Sequence, residues 1–121
     1  MLVGFIILSL RTVAVISAVT VLVFISLHSV KSDDSMSKEH IVEIRNLEFI
    51  PKELVVAPGD TIIWINHDII PHTVTADDES WDSDLVEAEG QWQTIVKANM
   101  HGTYFCRYHP SMKAKLRIVS R

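Results

Sequence analysis

The sequence contains a single cysteine, Cys106, among its 121 residues. One thiol cannot form an internal disulfide, which excludes the disulfide framework that stabilises many small exported domains. The sequence also lacks a phosphate-binding glycine loop, a zinc-protease motif and a catalytic-triad pattern. We therefore expect no enzyme, and the lone thiol becomes the first candidate functional group.

Positive charge is scarce as well. The sequence has 11 Lys and Arg residues and 15 Asp and Glu residues, which gives a net charge of −4. An acidic surface is typical of proteins that do not bind nucleic acid. Residues 77–89 hold seven carboxylates and no basic residue, yet they lack the glycine and the final glutamate of a calcium-binding loop. We interpret this segment as a solvated loop, with steering of a basic partner as the alternative.

Residues 2–30 are almost free of charge, since Arg11 is their only Lys, Arg, Asp or Glu. The apolar core, Thr12–Leu27, is longer than that of a usual signal peptide and slightly shorter than a comfortable membrane span. We predict that residues 1–32 form a hydrophobic helix that acts as a signal peptide or an N-terminal membrane anchor. Either role puts the remainder in the periplasm or at the outer face of the cytoplasmic membrane.

The rest of the chain predicts one small domain, residues 40–121, after a polar linker of residues 33–39. Without Arg11 and Lys31, 9 basic residues remain against 15 acidic ones, a net charge of −6. Apolar and polar residues alternate in short runs that are separated by turns such as Pro58-Gly59-Asp60, and no helical period interrupts them. This pattern predicts an all-β Greek-key sandwich of about seven or eight strands.

The candidate site begins with Cys106, His109 and Met112, which are separated by two residues each and which we expect on one short loop after a strand. Thiolate and thioether are soft ligands that suit copper, and imidazole serves both of its oxidation states. His72, which follows Pro71 in the middle of the chain, supplies a second imidazole. We predict that these four side chains hold one type 1 copper ion. Zinc is the competing metal, although thioether is a poor zinc ligand.

Three runs carry a family resemblance: LVVAPGDTIIWIN at 54–66, PHTV at 71–74, and GTYFCRYHPSM at 102–112. With them the segment 41–119 resembles the cupredoxins, the blue type 1 copper proteins, and within them the amicyanin and plastocyanin type. The resemblance implies a carrier of single electrons between redox proteins. It also implies His72, Cys106, His109 and Met112 as copper ligands. The alternative is copper storage or delivery without redox turnover.

The resemblance also indicates residues around the ligands. Thr73 stands where the family usually has asparagine. Because the threonine side chain is shorter, we expect the link between the ligand loops to change. Asn66 is the second residue that we expect to support the ligands without binding the metal. Ser111 replaces a bulky apolar residue, which weakens the expected docking patch. We expect an exposed edge of His109 to be surrounded by partner-docking residues, namely Ile70, Pro71, Tyr108 and Pro110. We expect the protein to act as a monomer.

Overall fold

The computed structural model describes residues 36–121, which form eight β-strands and no helix. The predicted N-terminal helix, residues 1–32, lies outside the described residues. Among those described, no helix is long and apolar enough to cross a membrane. The strands are β1 (Glu39–Arg45), β2 (Glu48–Ile50), β3 (Glu53–Val56), β4 (Thr61–Asn66), β5 (Thr75–Ala76), β6 (Gln91–Ile95), β7 (Thr103–Cys106) and β8 (His109–Ile118).

The strands form two four-stranded sheets, in the orders β2-β1-β4-β6 and β3-β8-β7-β5. In the first sheet β1 pairs with β4 in parallel, and in the second β3 pairs with β8 in parallel. Parallel neighbours cannot be joined by a tight hairpin, so the chain crosses between the sheets. The prediction of an all-β sandwich with seven or eight strands is confirmed for the described residues.

Tyr104 and Trp64 link the two sheets at the centre of the core. Both side chains are buried, and the Trp64 indole N–H donates a hydrogen bond to the Tyr104 hydroxyl over 3.3 Å. Their rings meet edge to face with centroids 5.7 Å apart, a favourable aromatic arrangement. Burial raises the pKa of Tyr104 to about 12, so the phenol stays neutral at physiological pH.

Asp60, immediately before β4, ties both ends of the described chain to the sandwich. Its carboxylate is fully buried and accepts hydrogen bonds from the amides of Lys38 and Ala57, from the His40 imidazole and from the Arg121 guanidinium. Burial raises the pKa of Asp60, but these hydrogen bonds together lower it well below its usual range. The carboxylate therefore remains ionised inside the fold.

The segment that carries three of the predicted ligands is more regular than the sequence indicates. We expected a loop from Cys106 to Met112, but β8 already begins at His109, and Cys106 pairs directly with His109. Only Arg107 and Tyr108 turn the chain, after a register shift between Phe105 and Cys106. These three predicted ligands thus lie on a β-hairpin rather than on a free loop.

Candidate metal centre

Three donor atoms meet between β7, β8 and the segment before β5. The Cys106 sulfur lies 3.7 Å from the Nδ1 atom of His72 and 3.7 Å from the Nδ1 atom of His109. All three ligand atoms lie within 4.8 Å of one another. Within residues 36–121 this is the one group of three or more such side chains close enough to share a metal ion.

Strand pairing explains how residues 34 positions apart come together. The edge strand β5 pairs antiparallel with β7, and Thr75 lies opposite Phe105. His72 precedes Thr75 by three residues and Cys106 follows Phe105 by one, so the pairing brings both side chains to the same end of the second sheet. The tight β7–β8 hairpin then adds His109.

Cys106 is buried, and its sulfur accepts a hydrogen bond from the backbone N–H of Thr73 over 3.4 Å. The amide fixes the position of the sulfur, whose thiolate form is the one that binds metal. The bond also joins the two ligand-bearing segments.

Thr73 makes a second link through its side chain. Its hydroxyl oxygen accepts a hydrogen bond from the Arg107 amide over 2.9 Å, and the Thr75 hydroxyl donates to it over 3.0 Å. The expected loss of reach relative to asparagine therefore does not break the connection between the ligand loops. In this chain a buried threonine provides it.

Asn66 fixes the course of the chain between β4 and His72. Its side-chain amide donates to the carbonyls of Ile70, Val86 and Glu87 over 2.8, 3.0 and 3.2 Å. Its side-chain oxygen accepts from the Asp68 amide over 2.9 Å. Because Asn66 is fully buried, these bonds form away from water and hold the segment firmly.

Sequence reasoning missed Asp68. Its carboxylate lies 2.9 Å from Nε2 of His72 and also accepts the amide hydrogens of Asn46 and Leu47. Burial raises the pKa of Asp68, but the Leu47 and Asn46 amides and the His72 imidazole outweigh it, so the pKa lies below its ordinary value. The only sequence signal was an acidic residue four positions before the histidine, and that spacing is common in loops.

The two other predicted ligands, His109 and Met112, differ in how far their side chains are exposed to solvent. His109 is partly exposed, whereas Met112 is buried in the same apolar cluster as Cys106. Of the predicted docking residues, Tyr108 is 62% exposed and Ile70 39% exposed, and the two prolines, Pro71 and Pro110, are exposed as well.

The remaining described histidines pair with carboxylates away from this cluster. His40 contacts Asp60 at 2.8 Å, His101 approaches Asp78 at 3.3 Å, and His67 lies 4.0 Å from Glu43. None of the three belongs to the cluster of possible metal ligands. His28 lies outside the described residues.

The donor set fits copper in both chemistry and spacing. Metal bonds of about 2.0 Å to nitrogen and about 2.3 Å to sulfur place these donors about 3.7 Å apart when the ligands spread at about 120°. The measured separations from the sulfur to both Nδ1 atoms have this value. A trigonal arrangement of two imidazoles and one thiolate is the geometry of blue-copper sites, and the thioether of Met112, three residues after His109, is a soft ligand that favours copper over zinc.

Comparison with known families matches residues 36–119 to the copper binding proteins of the plastocyanin/azurin family. The chain is 29% identical over 95 residues to plastocyanin from Nostoc punctiforme, a match that covers 73% of this chain and 68% of that protein. It is 21% identical over 81 residues to amicyanin from Paracoccus versutus, covering 63% of this chain and 61% of that protein.

Solved structures show the same likeness. A methionine-to-alanine mutant of amicyanin in the Cu(I) form superposes with a TM-score of 0.57 at 28% identity, covering 67% of this chain and 82% of that one. A purple cupredoxin from Nitrosopumilus maritimus gives a TM-score of 0.62 at 18% identity, covering 66% of this chain and 99% of that one. The second likeness shows the fold alone.

A copper-containing nitrite reductase from Thermus scotoductus is also similar, with a TM-score of 0.58 at 19% identity. The match covers 69% of this chain but only 23% of the reductase chain. The similarity is therefore one of fold, and it extends to a small part of that enzyme.

Proposed function

Because this chain belongs to the plastocyanin/azurin family of copper-binding proteins, we propose that it carries single electrons between redox proteins at one type 1 copper site. His72, Cys106, His109 and Met112 are the proposed ligands. Bound copper supplies a one-electron couple between Cu(I) and Cu(II). The observation that carries the proposal is the meeting of three donor atoms within 4.8 Å on buried, hydrogen-bonded backbone.

Rigidity of the ligands favours electron transfer, because a site that keeps its shape in both oxidation states needs little reorganisation. Thr73 joins the ligand segments through its amide and its hydroxyl. Asn66 holds the chain before His72 through three donated hydrogen bonds. The role of these two residues is to keep the donors in place while the charge of the metal changes.

Copper storage or delivery is the second candidate function. Proteins that release metal to a partner need exposed ligands, whereas His72 and Cys106 are fully buried and Met112 is 3% exposed. Only His109 has a partly exposed side chain. Burial slows the loss of metal, so it favours electron carriage over delivery.

The exposed edge of His109 is the proposed route for electrons. Ile70, Pro71, Tyr108 and Pro110 form the proposed docking patch around it. A small apolar patch suits brief encounters between electron-transfer partners, which bury less than about 1,200 Å² in total. We take the partners to be a redox donor and a redox acceptor, and the protein to act as a monomer without catalytic chemistry of its own.

The proposed location of the protein rests on the sequence of residues 1–32. A signal peptide or a retained anchor would put the copper domain in the periplasm or at the outer face of the cytoplasmic membrane. A lone thiol is protected from oxidation there if a metal occupies it. Fractionation of cells with an antibody against the domain, with and without a carbonate wash, would separate the soluble from the anchored form.

Spectroscopy and voltammetry of the copper-loaded protein test the proposed function. We expect an intense visible thiolate-to-copper(II) absorption band and a reversible one-electron wave. We also expect a Cu(I) chelator to remove the metal slowly. A colourless Cu(II) complex would refute the type 1 site, and rapid loss of copper without a reversible wave would favour delivery.

A further inference from the structure

The imidazole of His72 is held on both sides. Its Nδ1 atom faces the Cys106 sulfur at 3.7 Å, while its Nε2 atom lies 2.9 Å from Oδ2 of Asp68. The side chain of His72 is fully buried and that of Asp68 is 14% exposed. The contact between imidazole and carboxylate is therefore largely shielded from water, which strengthens it relative to a surface pair.

Asp68 is itself fixed by the turn between β1 and β2. Its Oδ1 accepts the Asn46 amide over 2.7 Å, and its Oδ2 accepts the Leu47 amide over 3.0 Å. Each carboxylate oxygen thus accepts a backbone N–H, which is the pattern of an ionised acid that only accepts.

The turn that supplies these amides has an unusual backbone. Asn46 and Leu47 have φ angles of 54° and 60°, as both central residues of a type I′ hairpin turn require. Leucine rarely adopts positive φ, and the carboxylate stabilises the turn by satisfying both amides. The carboxylate consequently connects a strained turn in the first sheet to a proposed ligand in the segment before β5.

This geometry determines which nitrogen of His72 carries the proton. An ionised carboxylate cannot donate, so the hydrogen in the contact must come from Nε2. In the neutral imidazole, the lone pair of Nδ1 then points toward the Cys106 sulfur, where the metal would bind. The imidazole is oriented and in the right tautomer before any metal arrives.

We propose that Asp68 is a positioning residue that, through His72, strengthens binding of Cu(II) relative to Cu(I) and lowers the reduction potential of the site. The proposal rests on the proposed function. A carboxylate that accepts the far N–H of a metal-bound imidazole raises its basicity, and the gain is larger for the ion of higher charge. Loss of such a partner typically lowers metal affinity about 10- to 100-fold.

The metal-free protein gives the first test, which needs no copper. Nitrogen-15 NMR of the wild-type imidazoles should show His72 as the Nε2–H tautomer, with a proton that exchanges slowly with water. Asp68→Asn should speed that exchange. A wild-type His72 with its proton on Nδ1 would overturn the proposal.

The copper-loaded protein gives the second test, with Asp84→Asn as the matched control. Asp84 is exposed, lies two residues before Val86, whose backbone pairs with His72, and has a φ of 54° that asparagine tolerates well. Asp68→Asn should weaken Cu(II) binding at least about tenfold more than Cu(I) binding, which equals a rise in potential of about 59 mV. Asp84→Asn removes the same charge and should change the affinity ratio by less than about a factor of two, since exposed charges are screened.

If Asp68→Asn folds poorly, Leu47→Gly is introduced into both proteins, because glycine adopts positive φ without strain. The double variant Leu47→Gly/Asp68→Asn is then compared with its reference, Leu47→Gly. Equal potentials for Asp68→Asn and its reference would overturn the proposal while leaving electron carriage intact. Absence of a blue band and a reversible wave in the wild type would instead refute the proposed function, and the NMR result would still decide the Asp68–His72 contact.

Discussion

The backbone amide of Thr73 donates a hydrogen bond to the sulfur of Cys106 over 3.4 Å, and the hydroxyl oxygen of Thr73 accepts a hydrogen bond from the backbone amide of Arg107. One residue thereby joins the two chain segments that carry the proposed ligands. Both hydrogen bonds are shielded, since Thr73 is 3% exposed. The rigidity of the site depends on this double link.

Thr73→Val should weaken the link while keeping the shape of the side chain. The substitution leaves the Arg107 amide without its acceptor, at a cost of about 1–3 kcal/mol in the free energy of unfolding. Thr73→Ser keeps the hydroxyl and should lose less. Urea unfolding of the metal-free proteins measures the difference, and equal stability of the valine and serine variants would contradict the assigned role of the hydroxyl.

The two histidine variants His72→Ala and His101→Ala separate a proposed ligand from a bystander. His72→Ala removes one of three donors at the centre, so copper affinity should fall by at least about tenfold and the visible spectrum should change. His101, which contacts Asp78 and Thr103, lies outside the cluster, and its replacement should leave the spectrum unaltered. Titration with copper under a competing chelator gives both affinities. Equal effects would mean that the wrong histidine has been assigned.

Cys106→Ser tests the thiolate directly. The serine oxygen cannot supply the sulfur-to-copper(II) charge transfer, so the visible band should disappear even at saturating copper. The fold should persist, since the change is nearly isosteric. Circular dichroism of the metal-free variant serves as the control for folding. A variant that stays blue with copper would show that Cys106 is not a copper ligand.

The sequence could propose a ligand set because most of that set is local. Cys106, His109 and Met112 lie within one hairpin, so their spacing survives folding almost unchanged. The strands could be predicted for a similar reason, since alternation of apolar residues reports directly on which face is buried. The early start of β8 was missed because backbone pairing across a two-residue turn leaves no side-chain pattern.

The role of Asp68 could not be predicted. Its carboxylate meets His72 only because Asn66 folds the intervening segment back, and it meets the Asn46 and Leu47 amides across more than 20 positions of sequence. Each contact depends on backbone conformation rather than on residue type. Hydrogen bonds from distant amides are therefore the part of the site that only coordinates reveal.

Asp60 predicts how stability depends on pH. Its pKa is lower in the folded protein than the ordinary value of 3.8, so its stabilising contribution is complete above that value and is lost as the pH falls toward the folded pKa. Asp60→Asn should cost on the order of 3 kcal/mol at neutral pH, because it removes the charge that the Arg121 guanidinium and two backbone amides contact. The difference from wild type should shrink below pH 4. Urea unfolding of the metal-free proteins from pH 7 to pH 2.5 measures it, and a difference that grows on acidification would contradict the assignment.

The proposed docking patch can be tested without knowing the natural partner, because two copies of the protein can exchange electrons with each other. Ile70→Lys places a charge beside the His109 edge, so two copies that approach through this patch would bring like charges together. We expect the self-exchange rate to fall at least about tenfold, which corresponds to about 1.4 kcal/mol. Ile95→Lys is the matched control, since Ile95 is 61% exposed and pairs with Thr61 at the start of β4, whereas the site lies beyond its end. NMR line broadening in mixtures of the Cu(I) and Cu(II) forms gives both rates at equal net charge. An equal decrease in the self-exchange rates of the two variants would contradict an electron route through His109.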